Sequence, residues 1–251
     1  MHRFFADQCE DEVFLKSEDA VHAIRVLRLG EGDLIEVILD AKRWKARVSL
    51  AEQGKVRADL LEQLPDTEAS IEVTLFQGMP KADKMELIVQ KCTELGVSRI
   101  VPVFMERSVV SNENAKALER KTERWSKIAQ EAVKQCGRTQ PLAVEKADLL
   151  ERQIDRLKAL DLLIVPWEKA SGKGTASLRE RIEAGKQTIQ GKRLSVGIVI
   201  GPEGGISEQE IEWLKDKAGA HTVTLGPRIL RTETAAIVAS ALVLAYAGEL
   251  D

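Results

Sequence analysis

The chain has little with which to build a covalent or metal framework. Its three cysteines, Cys9, Cys92 and Cys136, are odd in number and far apart, with no C-x-x-C pair. That excludes a disulfide scaffold and leads us to expect a reduced, cytoplasmic compartment. The three histidines, His2, His22 and His221, are equally scattered. They leave no cluster with zinc-ligand spacing, so no metal is expected. The longest apolar run, Ala235–Ala247, is interrupted by Ser240 and too short for a bilayer. The opening stretch MHRFFADQCEDE lacks the basic-then-apolar pattern of a secretory signal, so neither export nor a membrane is expected. Repeats at solenoid periods are absent.

What is present is globular in kind. Hydrophobic residues make up 44% and charged residues 31% of 251 positions, enough for one large domain or two smaller ones. Net charge is −3. Residues 1–70 carry 10 Lys+Arg against 15 Asp+Glu, and the remainder 27 against 25. Any nucleic-acid surface must therefore be a local patch on a mildly acidic protein. The best such patch is KRWKAR, Lys42–Arg47, which reads equally as RNA-facing cations or as a solvated hairpin tip.

The hydrophobic period divides the chain. Val21, Ile24, Leu27 and Leu29 mark a short helix over residues 18–29, ended by Gly30. Trp44, Ala46, Val48 and Leu50 then alternate with polar residues, as do Val56, Ala58 and Leu60. Period two with turns at GEGD, DAKR and EQGK predicts a small antiparallel sheet or barrel. The polar PDTEAS stretch, Pro65–Ser70, serves as a linker, giving domains of 1–70 and 71–251.

From Ile71 strands alternate with helices. IEVTLFQGM, RIVPVFM, LDLLIVPWE, LSVGIVI and HTVTL read as strands. Helices are expected over Met85–Leu95 with Gly96 as its stop, roughly Asn114–Cys136, and Thr234–Ala247. That alternation predicts an α/β domain with a mostly parallel sheet covered on both faces.

Two loops carry the chemistry. IGPEGGIS, Ile200–Ser207, follows a strand, and Ser207 with Glu210 forms an S-x-x-E capping box for the next helix. Gly201, Gly204 and Gly205 can bring backbone close to a ligand. The spacing differs from the dinucleotide pattern G-x-G-x-x-G. SGKGT, Ser171–Thr175, fails as a phosphate loop because Trp167 and Gly174 stand where Gly and Ser/Thr are required. Glu203 would repel a pyrophosphate. It would tolerate, or hydrogen-bond, a phosphate-free ligand with a positive centre, such as S-adenosylmethionine. The second loop, LGPRILRTETA over Leu225–Ala235, places Arg228, Arg231 and Glu233 close together at a helix start. Ion pairing of these arginines with Glu233 is the structural alternative.

IGPEGGIS and LGPRILRTETA, with KADKMELIVQKCTELGV upstream and HRFF at the start, closely resemble the RsmE family. These are SPOUT-class methyltransferases acting on N3 of a uridine in bacterial 16S ribosomal RNA. The resemblance runs along essentially the whole chain. It implies a PUA-like β-barrel followed by a knotted (trefoil-knot) SPOUT parallel-sheet domain, S-adenosylmethionine as donor, and a homodimer with each active site at the dimer interface. Carried over residue by residue, Ile200, Gly201, Glu203 and Gly205 match the first cofactor loop, and Leu225, Gly226, Ile229, Leu230 and Arg231 the second. Pro166, Trp167 and Glu168 match a further wall of the pocket more loosely, by position after a strand. Glu106–Ser108 and Glu131–Arg138 resemble polar pieces near the substrate. A non-catalytic RNA-binding assembly factor, or an enzyme acting on transfer RNA or on a ribose 2′-hydroxyl, are the rival readings.

The reaction sets its own demands. In-line displacement at a sulfonium rewards positioning, and uracil N3 reacts well only as its proton leaves and charge spreads to O2 and O4. Preorganised donors must meet that charge, a task suited to the arginine fork. Arg231 is the first candidate, with Arg107 and Arg138 next. Glu131 and Gln135, at i and i+4, are a base or orienting pair, or an exposed helix carboxylate with its neighbour. Arg3, Arg25, Arg28, Lys42 and Arg43 are the expected phosphate contacts on the ribosomal small subunit, positioning without specifying. Trp44 either stacks on a base or fills the core.

Overall fold

The computed structural model describes residues 1–52, 54–109, 115–170, 177–189 and 191–250. The loop Ser171–Thr175 and Asn114 lie outside the described residues. The chain divides into two compact units, one of Met1–Glu68 with Lys134–Gln140 and one of Ala69–Val133 with Pro141–Asp251.

In the first unit β1 (Arg3–Cys9), β2 (Glu12–Leu15), β3 (Leu34–Leu39), β4 (Lys42–Glu52) and β5 (Lys55–Gln63) close a barrel in the order β1-β2-β5-β4-β3. Neighbours are antiparallel except β1 and β3, which run parallel. Closure leaves no free sheet edge. Alternation sends Phe4, Ala6, Val37, Leu39, Ala46, Val48, Val56 and Ala58 into one apolar core. Asp40 and Ala41 both take positive φ (49° and 58°) at the β3–β4 hairpin tip, the geometry that two-residue hairpins favour. Trp44 sits half-buried against the core.

Helix α1 (Ser17–Arg25) buries Ala20 and Ala23 against the barrel. It stops earlier than the periodicity predicts, and Gly30 is not its cap. The backbone N–H groups of Leu27 and Leu29 donate to the carbonyls of His22 and Ala23, while Arg28 takes the left-handed turn at φ 55°. A non-glycine residue in that conformation is what sequence periodicity does not foresee.

In the second unit β6 (Glu72–Gly78), β7 (Arg99–Phe104), β8 (Ala143–Val144), β9 (Asp148–Leu149), β10 (Leu162–Pro166), β11 (Ser195–Ile200) and β12 (His221–Val223) form one sheet. Its order is β12-β10-β11-β6-β7-β8, with β9 also on β7, and every pair is parallel. The two faces follow from period two. Val73, Leu75, Ile198 and Ile200 pack with α2 (Lys84–Leu95), α5 (Leu178–Thr188) and α7 (Thr232–Ala247). Phe76 and Val199 pack on the other side with α4 (Ile154–Lys158) and α6 (Glu208–Ala218). α2 ends at Gly96, φ 113°, as its sequence predicts. α3 (Ala115–Cys136) buries Trp125, Ala129, Ala132 and Val133. Helix α4, like the short β8 and β9, is too brief to announce itself, whereas α5, as long as α6 and with its own capping box of Ser177 and Glu180, is a helix the sequence reading missed.

Candidate functional site

Three segments leave the carboxyl ends of adjacent strands and enclose a cleft of about 940 Å³. After β10 come Pro166, Trp167 and Glu168, after β11 Gly201–Ile206, and after β12 Thr224–Thr232. Ligand crevices of open parallel sheets lie at this edge. Ile200, Leu225, Leu230 and Ala235 supply apolar wall, and Lys84, Glu168, Glu203, Arg228 and Arg231 supply charge.

Each turn is held for a stated reason. The first starts on Gly201 and Pro202, pressed against the end of β6. A Cβ on Gly78 would stand 2.6 Å from Pro202 Cδ and N, and one on Gly201 2.8 Å from the Gly205 carbonyl carbon. Only glycine permits that approach. Gly205 and Gly226 take positive φ, 73° and 107°. The turn closes on the capping box, Ser207 Oγ accepting from Glu210 N–H at 3.2 Å and Glu210 Oε2 from Ser207 N–H at 2.9 Å, an arrangement contributing about 1 kcal/mol. The other Glu210 oxygen accepts from Glu106 N–H at 2.8 Å, tying the exit of β7 to the same helix start.

The two loops are also tied to each other. Thr232 Oγ1 donates to the Gly201 carbonyl at 2.7 Å and accepts from Gln77 Nε2 at 2.9 Å. Gln77, fully buried, also donates to the Gly78 carbonyl. A second tie is ionic. Lys84 Nζ lies 2.9 Å from Glu203 Oε1 and 3.3 Å from Glu233 Oε2, and Lys81 N–H also donates to Glu203 Oε1 at 3.0 Å. Burial pushes the Glu203 carboxyl up, but hydrogen bonds from Lys84 and Lys81 outweigh it and hold the group below the usual range. The hydrogen bond to Glu203 chiefly, against slight desolvation, raises Lys84 above its ordinary value. Glu203 is thus ionised and engaged by lysines. The pairing with Lys84, 119 residues away, is a constraint that sequence reasoning did not foresee, and both bonds fall on Oε1.

Of the expected cofactor residues, Pro166, Trp167, Glu168, Ile200, Gly201, Glu203, Gly205, Leu225, Gly226, Ile229 and Leu230 all line this one cleft. Ile229 is 89% exposed. Arg231 lines it too, as the N-cap of α7, and makes no side-chain hydrogen bond or ion pair among the described residues. Glu233 is paired with Lys84, so the arginine–Glu233 pairing does not form. Arg107 reaches the first turn from outside, Nη1 donating to the Gly204 carbonyl at 3.1 Å. Glu131 is exposed on α3 and does not line the cleft. Arg138 lies in the first unit, where Nη2 and Nε reach Glu68 at 2.7 and 3.0 Å.

In the barrel unit Arg3 and Arg43 both bind the buried Glu36, each at 2.7 Å, so much of their charge is neutralised locally. Desolvation opposes ionisation of Glu36, and the two arginines more than reverse it. Lys42, Arg25 and Arg28 are exposed. Gln77, Gly78, Lys84 and Thr232 are site residues that sequence reasoning missed. Only the likeness of KADKMELIVQKCTELGV to a known family pointed near Lys84, and nothing in its spacing did.

The parallel sheet with its glycine-turn cleft defines the class. Residues 67–244 match the family described as RNA methyltransferase domain. The chain is 35% identical over 247 residues to the ribosomal RNA small subunit methyltransferase E of Bacillus subtilis, covering 95% of this chain and 94% of that one. The Aquifex aeolicus protein of that name is 31% identical, covering 94% and 96%. Among solved structures, the Neisseria gonorrhoeae methyltransferase E bound to S-adenosyl methionine is similar, with TM-score 0.73, 29% identity and 96% of each chain covered. A Legionella pneumophila putative methyltransferase in complex with SAM also has TM-score 0.73, at 28% identity over 97% and 96%. The chain belongs to the ribosomal RNA small subunit methyltransferase E family, RsmE.

Proposed function

We propose that this protein transfers a methyl group from S-adenosylmethionine to N3 of a uridine in 16S ribosomal RNA of the small ribosomal subunit, in the cytoplasm. The carrying observation is the convergence of the Gly201–Ile206 and Leu225–Arg231 turns in one cleft. Its residues fit the donor. Apolar walls and exposed glycine backbone suit an adenosine, both charge signs suit an amino-acid tail, and the volume suits a ligand of that size. The paired carboxylate in the first turn argues against a phosphate there.

When bound, the donor supplies an electrophilic methyl on a sulfonium. The chain's residues do the rest. Leu225, Gly226 and Leu230 wall the donor in, and Ile229 projects from the same loop. Arg231, without a protein partner, offers its guanidinium to the charge that grows on O2 and O4 as the N3 proton leaves. Arg107, braced on Gly204, steadies the rim. Glu131 and Arg138 remain candidates for the substrate side, Arg138 as one whose fork already serves Glu68.

The reading includes a PUA-like barrel unit for RNA, a knotted SPOUT sheet unit and a homodimer. α7 supports the dimer. Among its 16 residues only Glu233 is charged, and Ile237, Val238, Ala241 and Leu242 stay partly exposed, a surface that favours apolar company. Titration calorimetry with S-adenosylmethionine, joined to nucleoside mass spectrometry of 16S rRNA from cells with and without the protein, tests the whole. We expect donor binding and loss of one 3-methyluridine. Binding without any change in rRNA nucleosides would leave an assembly factor instead.

A further inference from the structure

We propose that Lys84, set between Glu203 and Glu233, tunes the cleft's preference for the cationic methyl donor over its uncharged product. The proposal rests on the donor-site reading above. Three chain segments contribute one group each: Lys84 opens α2, Glu203 lies in the first turn, and Glu233 in the first turn of α7. The Lys84–Glu203 bond spans 119 residues, so no local propensity produces it. Among the described residues neither carboxylate has a second ion-pair partner. Glu233 Oε2 is buried without a hydrogen bond, and its compensation is the ammonium 3.3 Å away.

One positive charge between two negative ones leaves a net −1 beside the cleft that Lys84 and Glu203 line. Methyl transfer changes the ligand's charge and little else. The carbon–sulfur bond breaks, its electron pair stays on sulfur, the methyl joins the acceptor nitrogen, and that nitrogen's proton passes to solvent water. A sulfonium becomes a neutral thioether. Against the background of Glu168, Arg228 and Arg231, which also line the cleft, this net negative triad favours the ligand before transfer over the ligand after it, and so the exchange of product for donor. Lys84 limits that bias by offsetting half the carboxylate charge while keeping the two loops in register.

The sign can be read in ratios. Across about 10 Å at an effective dielectric of about 20 to 40, one unit charge changes the affinity of a cation by roughly four- to seventeenfold and leaves a neutral ligand's almost unchanged. Calorimetric Kd values for S-adenosylmethionine and S-adenosylhomocysteine are measured on the full chain. Lys84→Met raises the donor-to-product affinity ratio by about that factor, Glu203→Gln and Glu233→Gln lower it, and Lys84→Arg keeps it within about twofold. A structural role alone weakens both ligands together in every variant, with the ratio unmoved, and that result overturns the proposal. Should Lys84→Met bind neither ligand, the sign of the change in Glu233→Gln decides. A wild-type protein that binds neither ligand refutes the donor-site reading itself.

Discussion

The Thr232 hydroxyl donates to the Gly201 carbonyl at 2.7 Å, joining the turn after β11 to the start of α7 across 31 residues. Gln77 fixes the direction of that bond. Its Nε2 donates to both Thr232 Oγ1 and the Gly78 carbonyl, so the hydroxyl proton can only point toward Gly201. Thr232→Val keeps the shape and removes the link. It leaves a buried amide donor and a carbonyl unsatisfied, at about 1–3 kcal/mol. We expect S-adenosylmethionine and S-adenosylhomocysteine affinities to fall together by about 5- to 100-fold in calorimetry. A change for one ligand only would mean that the bond orders something other than the turns.

Gly78 is the other side of the same contact. Because the atoms a Cβ would meet at 2.6–2.9 Å are Pro202 and the Gly201 carbonyl carbon, no side chain can rotate out of the way. Gly78→Ala must move the first turn or strain β6, at about 1–3 kcal/mol. The expected outcome is a Tm several degrees lower and donor affinity reduced at least tenfold. An unchanged donor Kd would show that the turn has slack.

How much of this was legible beforehand follows from the range of each interaction. The parallel sheet announced itself because buried strands such as IEVTLFQG and LSVGIVI are continuous apolar runs, and the two glycine loops stood at their ends. The capping box at Ser207 and Glu210 is local and was read correctly. β1 was not, because RFFADQC mixes apolar and charged residues and its partners, β2 and β3, are fixed only by barrel closure. Lys84, Gln77 and Thr232 were invisible for the same reason. Their partners lie 119, 155 and 31 residues away, and a lysine opening a helix looks like any solvated cation. Arg3 and Arg43 read as phosphate contacts, and the Glu36 carboxylate that both of them bind lies 33 and 7 residues away, on no pattern that marks it as their partner.

The Arg138–Glu68 pair makes a pH prediction. Both side chains are nearly buried, at 7% and 9% exposure. Burial alone would raise the Glu68 carboxyl, but Arg138 and the N–H groups of Thr139 and Gln140 together hold it below the usual range. A depressed folded-state value means that the stabilisation is complete above the unfolded carboxylate range, near pH 4.3, and is lost as pH falls through the folded value. Glu68→Gln should cost about 3 kcal/mol at pH 7 in urea unfolding. That difference from wild type should shrink steadily below about pH 4. A gap independent of pH would assign the loss to packing rather than to charge.

Arg25 and Arg28 are exposed on the barrel unit, and no carboxylate among the described residues pairs with them, unlike Arg3 and Arg43. If the barrel holds RNA, these and Lys42, which is also exposed without an ion pair among the described residues, have charge to spare. Arg25→Glu with Arg28→Glu should weaken small-subunit binding and flatten the slope of log K against log salt by about 1 to 2. Arg28 already sits at φ 55°, so replacing one non-glycine residue by another adds no backbone strain. An unchanged slope would place the RNA elsewhere.

Arg231→Ala tests whether the Arg231 side chain serves binding or chemistry. The Arg231 backbone caps α7, with its carbonyl accepting from Ala235 N–H at 2.8 Å, and its side chain caps nothing. Arg231→Ala therefore leaves the helix start and the loop intact while deleting the only guanidinium in the cleft, besides Arg228, among the described residues. A donor aimed at charge present only in the transition state contributes to turnover and not to ground-state affinity. We expect kcat on ribosomal substrate to fall by about 10²- to 10³-fold, with the donor Kd changed by less than about threefold. Because Arg228 stands two residues before Leu230 on the same exposed loop, Arg228→Ala is the control that isolates position from charge, and its kcat should stay within about tenfold of wild type. Equal losses in kcat and donor affinity for Arg231→Ala would move that side chain from the reaction to the binding of the donor.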